Sequence, residues 1–92
     1  MIPEICLMDL LQEEKNAVWD YNNALSKIDF RKKSAFEREE HYKKYKKEFP
    51  EMYNEVIAEE NEKITQVIKE SEEAEQKLKE VRRKIKEYIS NL

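Results

Sequence analysis

The sequence predicts an all-α fold: one long helix, kinked near its middle, that forms an extended heteromeric coiled coil and not a compact globular domain. Three observations carry this. Of the 92 residues, 42% are charged, 39% are apolar and none is glycine, a balance typical of coiled coils. A strict heptad seam runs along the C-terminal third. A wide apolar stripe marks the N-terminal third.

The stripe is built from LLQEEKNAVWDYNNAL, residues 10–25. Leu11, Val18 and Leu25 are seven apart, and Leu10, Ala17 and Ala24 form a second row. A third row of Leu7, Tyr21 and Ile28 completes one helix face, with Glu14 its polar interruption. Pro3 and Glu4 suit the first turn of this helix, which is expected over about residues 4–30. SKIDFRKKS after it is the weakest helix former. Ser34 and Glu37 fit a capping box that would start a new helix, or else sit in a continuous one.

The middle, about residues 34–56, carries an irregular aromatic stripe of Phe36, Tyr42, Tyr45, Phe49, Met52, Tyr53 and Val56. Pro50 lies inside it and should kink or break the helix. On that reading Pro50→Ala straightens the chain without loss of stability.

The C-terminal helix, about residues 51–92, is the most regular part. Ile57, Glu60, Ile64, Val67, Ser71, Ala74, Leu78, Val81, Ile85, Tyr88 and Leu92 alternate by three and four without a slip. Ile28 and Ile57 are 29 residues apart where an unbroken heptad register needs 25 or 32, which reads as a four-residue stutter. A hairpin needs a turn, and turns favour glycine, asparagine, aspartate and proline. With no glycine and one interior proline, a single stalk over residues 1–92 is favoured. As one helix it would reach about 130 Å. Such a rod leaves its seam wet, so a second chain is expected along Leu7, Leu10, Leu11, Ala17, Val18, Tyr21, Ala24, Leu25 and Ile28. The same applies to Ile57, Ile64, Val67, Ala74, Leu78, Val81, Ile85 and Tyr88. Opposite charges at regular flanking positions, the mark of a homodimer, are poor: Lys63, Lys77 and Lys84 form a row that Glu70 breaks.

Disorder is the competing reading of so polar a chain, and the periodic apolar positions and aromatics argue against it. The net charge of −3 comes from finely interleaved acids and bases, so nucleic acid is not the expected partner. Cys6 stands alone, which excludes an internal disulfide and favours a reducing compartment. MIPEICLMDLL lacks a basic n-region, and no apolar run is long enough to span a bilayer. No catalytic or cofactor site is expected. His41 and Glu37 at i, i+4 suit a surface ion pair better than a metal site. HYKKYKKEF, residues 41–49, interleaves lysines and aromatics as single-stranded nucleic-acid binders do. Its acidic flanks favour a solvated lysine face behind an aromatic seam. Trp19 falls beside the main stripe, as an extra contact or as a partly covered flank.

LLQEEKNA also resembles the opening helix of the G subunit of the eukaryotic V-type ATPase, whose pattern runs L-L-Q-A-E-K-x-A with an alanine seven residues on. The matching positions are Leu10, Leu11, Gln12, Glu14, Lys15, Ala17, Ala24, Arg31, Lys33, Ala35 and Glu37. A looser match covers Glu55, Val56, Glu59, Glu62, Lys63, Ile64 and Thr65. Glu13, Leu25 and Ser26 depart from the pattern, and Pro50 has no counterpart, so the resemblance is to a shortened, divergent member. It implies a non-catalytic stator: the G subunit pairs with the E subunit as a peripheral stalk that keeps the catalytic head of a rotary proton pump from turning. It further implies contacts with the B subunit of the head and collar subunits C, H and a, on the cytoplasmic face of vacuolar or other endomembranes. The alternatives are a free-standing helical regulatory binder and a homodimeric coiled-coil scaffold.

Overall fold

A computed structural model describes residues 4–92, with side chains from Leu7 onward. The readings of Pro3 and of the Cys6 thiol fall outside the described residues. The chain is all-α and elongated, with extents of 72 × 15 × 13 Å. Helix α1 runs Glu4–Tyr42 and helix α2 Pro50–Ser90, joined by a 3-10 turn over Lys43–Tyr45 and a short connection.

The continuous rod does not form. The chain folds back at residues 43–49, and α1 and α2 pack antiparallel along their length. The physical reason lies in how the turn is made. Among the described residues no φ is positive, so the reversal needs no glycine. Instead the end of α1 tightens to 3-10 geometry, a common way to close a helix end. Phe49, barred from the α region by the proline after it, takes φ −131° and ψ 65°. Pro50 then occupies the first position of α2, where its missing N–H and fixed φ suit a helix start. Pro50 is therefore not a kink in one helix but the start of the second. Backbone bonds from Phe49 N–H to the Tyr45 carbonyl (2.7 Å) and from Tyr53 N–H to the Phe49 carbonyl (3.1 Å) complete the corner.

The seam follows from sequence spacing. In α1, Leu7, Leu10, Glu14, Ala17, Tyr21, Ala24, Ile28, Arg31, Ala35, Arg38 and Tyr42 alternate by three and four, and all are buried or half-buried. In α2 the same holds for Tyr53, Ile57, Glu60, Ile64, Val67, Ser71, Ala74, Leu78, Val81, Ile85 and Tyr88. The register of α1 thus continues past Ile28, and the helix runs unbroken through Ser34 and Glu37. The apparent stutter is no feature of a supercoil: it is the change of register where one helix ends and the next begins.

One flank of the seam is charged, and the charges match across the hairpin. Along α1 it reads Glu13, Asp20, Lys27; antiparallel to it along α2 stand Lys84, Lys77, Glu70. Two shallow grooves on this flank bring two of these pairs together, Glu13 with Lys84 in one and Lys27 with Glu70 in the other. Glu70, which breaks the lysine row, is the residue that lies level with Lys27.

Because Pro50 holds the corner, Pro50→Ala should loosen the hairpin, the opposite of what a kinked rod implies. The extra freedom of the unfolded chain alone should lower stability by about 0.4–1 kcal/mol, or about 2–8 °C in the melting midpoint of a domain this size. Circular dichroism melts check this; an unchanged or raised midpoint would show that the corner does not depend on Pro50.

Candidate interaction surface

Of the residues expected to contact a second chain, Leu7, Leu10, Ala17, Tyr21, Ala24 and Ile28 face α2 of the same molecule, as their place in the α1 seam register requires. Ile57, Ile64, Val67, Ala74, Leu78, Val81, Ile85 and Tyr88 answer from α2. Leu11, Val18 and Leu25 are different. They sit one position beyond the seam, and Leu11 and Leu25 remain 47% and 40% exposed. On α2 the corresponding positions carry Ile68 and Ile89, also exposed, with Glu75 and Arg82 between them. In an antiparallel pair these two rows border the same groove. The hairpin thus has one flank of opposite charges set face to face and one flank with an apolar row on α1 and a mixed row, Ile68, Glu75, Arg82 and Ile89, on α2.

The seam carries two polar crossings that position these rows. Near the open end, Arg82 Nε donates to Glu14 Oε2 at 3.2 Å, which sets Val18 level with Leu78, one turn further along. Toward the corner, Arg38 donates to Glu60 Oε1 at 2.7 Å and to Glu59 Oε2 at 3.4 Å. Glu60 is 5% exposed, and its Oε2 is buried without a hydrogen-bond partner. The hydrogen bond from Arg38 holds the Glu60 carboxyl below the usual carboxylate range, against the opposing effect of burial. Arg38 is correspondingly raised by its bonds to Glu60 and Glu59.

At the corner, Tyr42, Tyr45 and Phe49 form a ladder with ring centroids 6.1 and 6.2 Å apart. Tyr53 closes it from α2, its hydroxyl donating to Glu39 at 3.0 Å, a bond that raises the phenol above its ordinary range. Lys44 and Lys46 lie over the Tyr45 and Tyr53 rings at 5.1 and 5.5 Å, and Lys43 and Lys47 are exposed. HYKKYKKEF is therefore a packed corner whose aromatics cap the seam and whose lysines face solvent. His41 lies on the surface with its ring edge-on to Tyr42. Trp19 stands on the outer side of α1, 66% exposed.

Among the described residues no group of histidine, cysteine or acidic side chains could hold a metal ion, and no helix is long and apolar enough to cross a membrane. The α2 row of Ile68, Glu75, Arg82 and Ile89 is the part of the surface that the sequence pattern does not reveal; it emerges only once α2 is laid antiparallel to α1.

The fold defines the chain as an antiparallel α-helical hairpin with one unsatisfied apolar flank. No protein-family model matches it, and neither a curated protein nor a solved structure does.

A buried ion pair is weak evidence for stability but strongly constrains register. Arg38→Met alone should lower the melting midpoint, because it leaves the buried Glu60 carboxylate with only the longer contact to Lys63, 3.5 Å away. Adding Glu60→Leu should restore it to wild-type level or above. The pH dependence has a definite sign. The Glu60 carboxyl is depressed in the folded state, so its contribution is full above the unfolded carboxylate range and is lost as pH falls through the lower folded value. Thermal melts of wild type and Glu60→Gln should therefore converge at strongly acid pH. Melting curves that keep a constant separation down to pH about 3, below the ordinary glutamate range, would contradict this.

Proposed function

We propose that this chain is a non-catalytic structural protein that acts by helix-on-helix docking, with the flank of Leu11, Val18, Leu25, Ile68 and Ile89 as its working surface. The supporting observation is the asymmetry of the hairpin: one flank sets opposite charges face to face, while on the other Leu11, Leu25, Ile68 and Ile89 stay 37–56% exposed and Val18 half-buried. Two helices offer no third layer to bury such rows, and exposed apolar strips of this kind mark interaction sites.

The more specific form of this reading is a peripheral-stalk protein similar to the G subunit of V-type ATPases, supported by LLQEEKNA and the alanines at 17 and 24. The E subunit would then be the partner. The hairpin adds a condition. To pair along its whole length as a single helix, the chain must give up the α1–α2 seam and rebuild it against the E subunit; otherwise the E subunit must seat on the exposed flank.

Co-expression with the E subunit of a V-type ATPase tests the specific form, read by stoichiometric co-elution and by the separation of spin labels at Lys15→Cys and Arg83→Cys in a Cys6→Ser background. A stator predicts a one-to-one complex, with the labels far apart if the hairpin opens and close if it stays folded. Separate elution at micromolar concentrations of both chains would remove the stator reading and leave the docking role standing.

A further inference from the structure

We infer that the occupant of this flank is a second copy of the same chain, related by a two-fold axis, so that two hairpins form an antiparallel four-helix bundle. This rests on the docking role proposed above and names its partner.

The argument is one of self-complementarity. A two-fold interface brings one surface onto itself, so each residue must suit the residue that the axis exchanges it with. The α1 row reads the same from both ends: Leu11 exchanges with Leu25, and Val18 with itself. The α2 row does so as well, with charges: Ile68 exchanges with Ile89, and Glu75 with Arg82. A row whose acid and base change places under the symmetry is what a second copy requires, and an unrelated partner places no such demand on it.

The two rows are also centred at the same height, which neither helix alone requires. The α1 row is centred on Val18. The α2 row is centred between Leu78 and Lys79. The bond from Arg82 to Glu14 sets Val18 level with Leu78, so a single axis, crossing the flank at that level, serves both helices. Further out on α2, Glu72 and Lys86 exchange about nearly the same point. Lys79 meets its own copy near the axis, where Glu75, 3.1 Å away in the same chain, partly neutralises it.

The exposed state of these groups is consistent with reassignment on docking. Glu75 pairs with Lys79 at the solvent-facing surface, where exposed ion pairs contribute little and are easily exchanged, and Arg82 bonds Glu14 through Nε alone, which leaves its other nitrogens for a second carboxylate. The opposite flank offers no such surface, since there each charge faces its opposite along the antiparallel helix.

Charge swapping tests this directly. Glu75→Arg places two arginine–arginine contacts in the dimer, and Arg82→Glu places two glutamate–glutamate contacts, so each variant alone should dimerise at least about tenfold more weakly. Mixed together they should form a heterodimer, because both crossings then join arginine to glutamate. Masses from light scattering over a concentration series read the result, with circular dichroism to show that each variant keeps its helix content. Arg82→Glu also loses the Glu14 bond, so Val18→Cys in a Cys6→Ser background provides a second measurement: position 18 should cross-link to itself under mild oxidation. A wild-type chain that stays monomeric at high micromolar concentration overturns the proposal. So does a dimer indifferent to both swaps whose position 18 does not cross-link. A monomeric chain that binds a different helical protein, and loses it with Leu11→Asp and Val18→Asp together, would overturn the second copy while keeping the docking role.

Discussion

The constraint behind this structure is that two helices share only one seam. A seam residue has neighbours on one side and water on the other, and among the described residues no large side chain reaches full burial. The most enclosed of the described residues is Ala17, at 1% exposure, with Ala24, Ser71 and Val81 also buried. Small side chains let two helices approach closely, which suits a fold that has no third layer. The same constraint leaves Leu11, Leu25 and Ile68 37–47% exposed, since a residue one step off the seam points partly past the partner helix.

Direction and register are set by polar groups, because apolar layers alone slide past one another by a heptad with little penalty. The Arg38–Glu60 crossing admits one alignment near the corner, and the Glu14–Arg82 crossing fixes the same alignment near the open end. Between them, the order of signs on the charged flank is acid, acid, base against base, base, acid. A shift of one heptad sets Lys27 against a lysine. The corner adds a geometric stop of its own, where the Tyr42, Tyr45 and Phe49 rings pack and Tyr53 bonds Glu39.

Much of this is legible in the sequence, and what is not has a physical explanation. The all-α class, the elongation and both heptad rows follow from spacing that the structure keeps. The lysine face at residues 43–47 and its aromatic backing are likewise as the alternation implies, although they cap a corner instead of bracing the middle of a rod. The direction of packing does not follow, because the expectation of a rod rests on the lack of residues that favour positive φ. The chain turns without one, using a 3-10 end and the restriction that Pro50 imposes on Phe49. Two signals do point to the hairpin. The four-residue slip between Ile28 and Ile57 is what separate registers on two helices produce. Glu70, an exception in a parallel reading of the lysine row, is the expected partner of Lys27 in an antiparallel one. Flanking charges therefore carry direction only when both orders of pairing are compared.

The hairpin and a fully extended rod compete for the same residues. Ala17, Ala24, Val67, Leu78 and Val81 can bury against α2 or α1 of their own chain, or against another chain, but not both. Any partner that pairs along one continuous helix must therefore supply a seam at least as good as the one it displaces, and must also pull apart the Arg38–Glu60 pair. A ligand shifts such an equilibrium only by the difference in its affinity for the two states. A partner on the exposed flank faces no such competition, because those rows stay partly exposed while the hairpin is closed. Docking on the preformed hairpin is for that reason the mode that asks least of the chain.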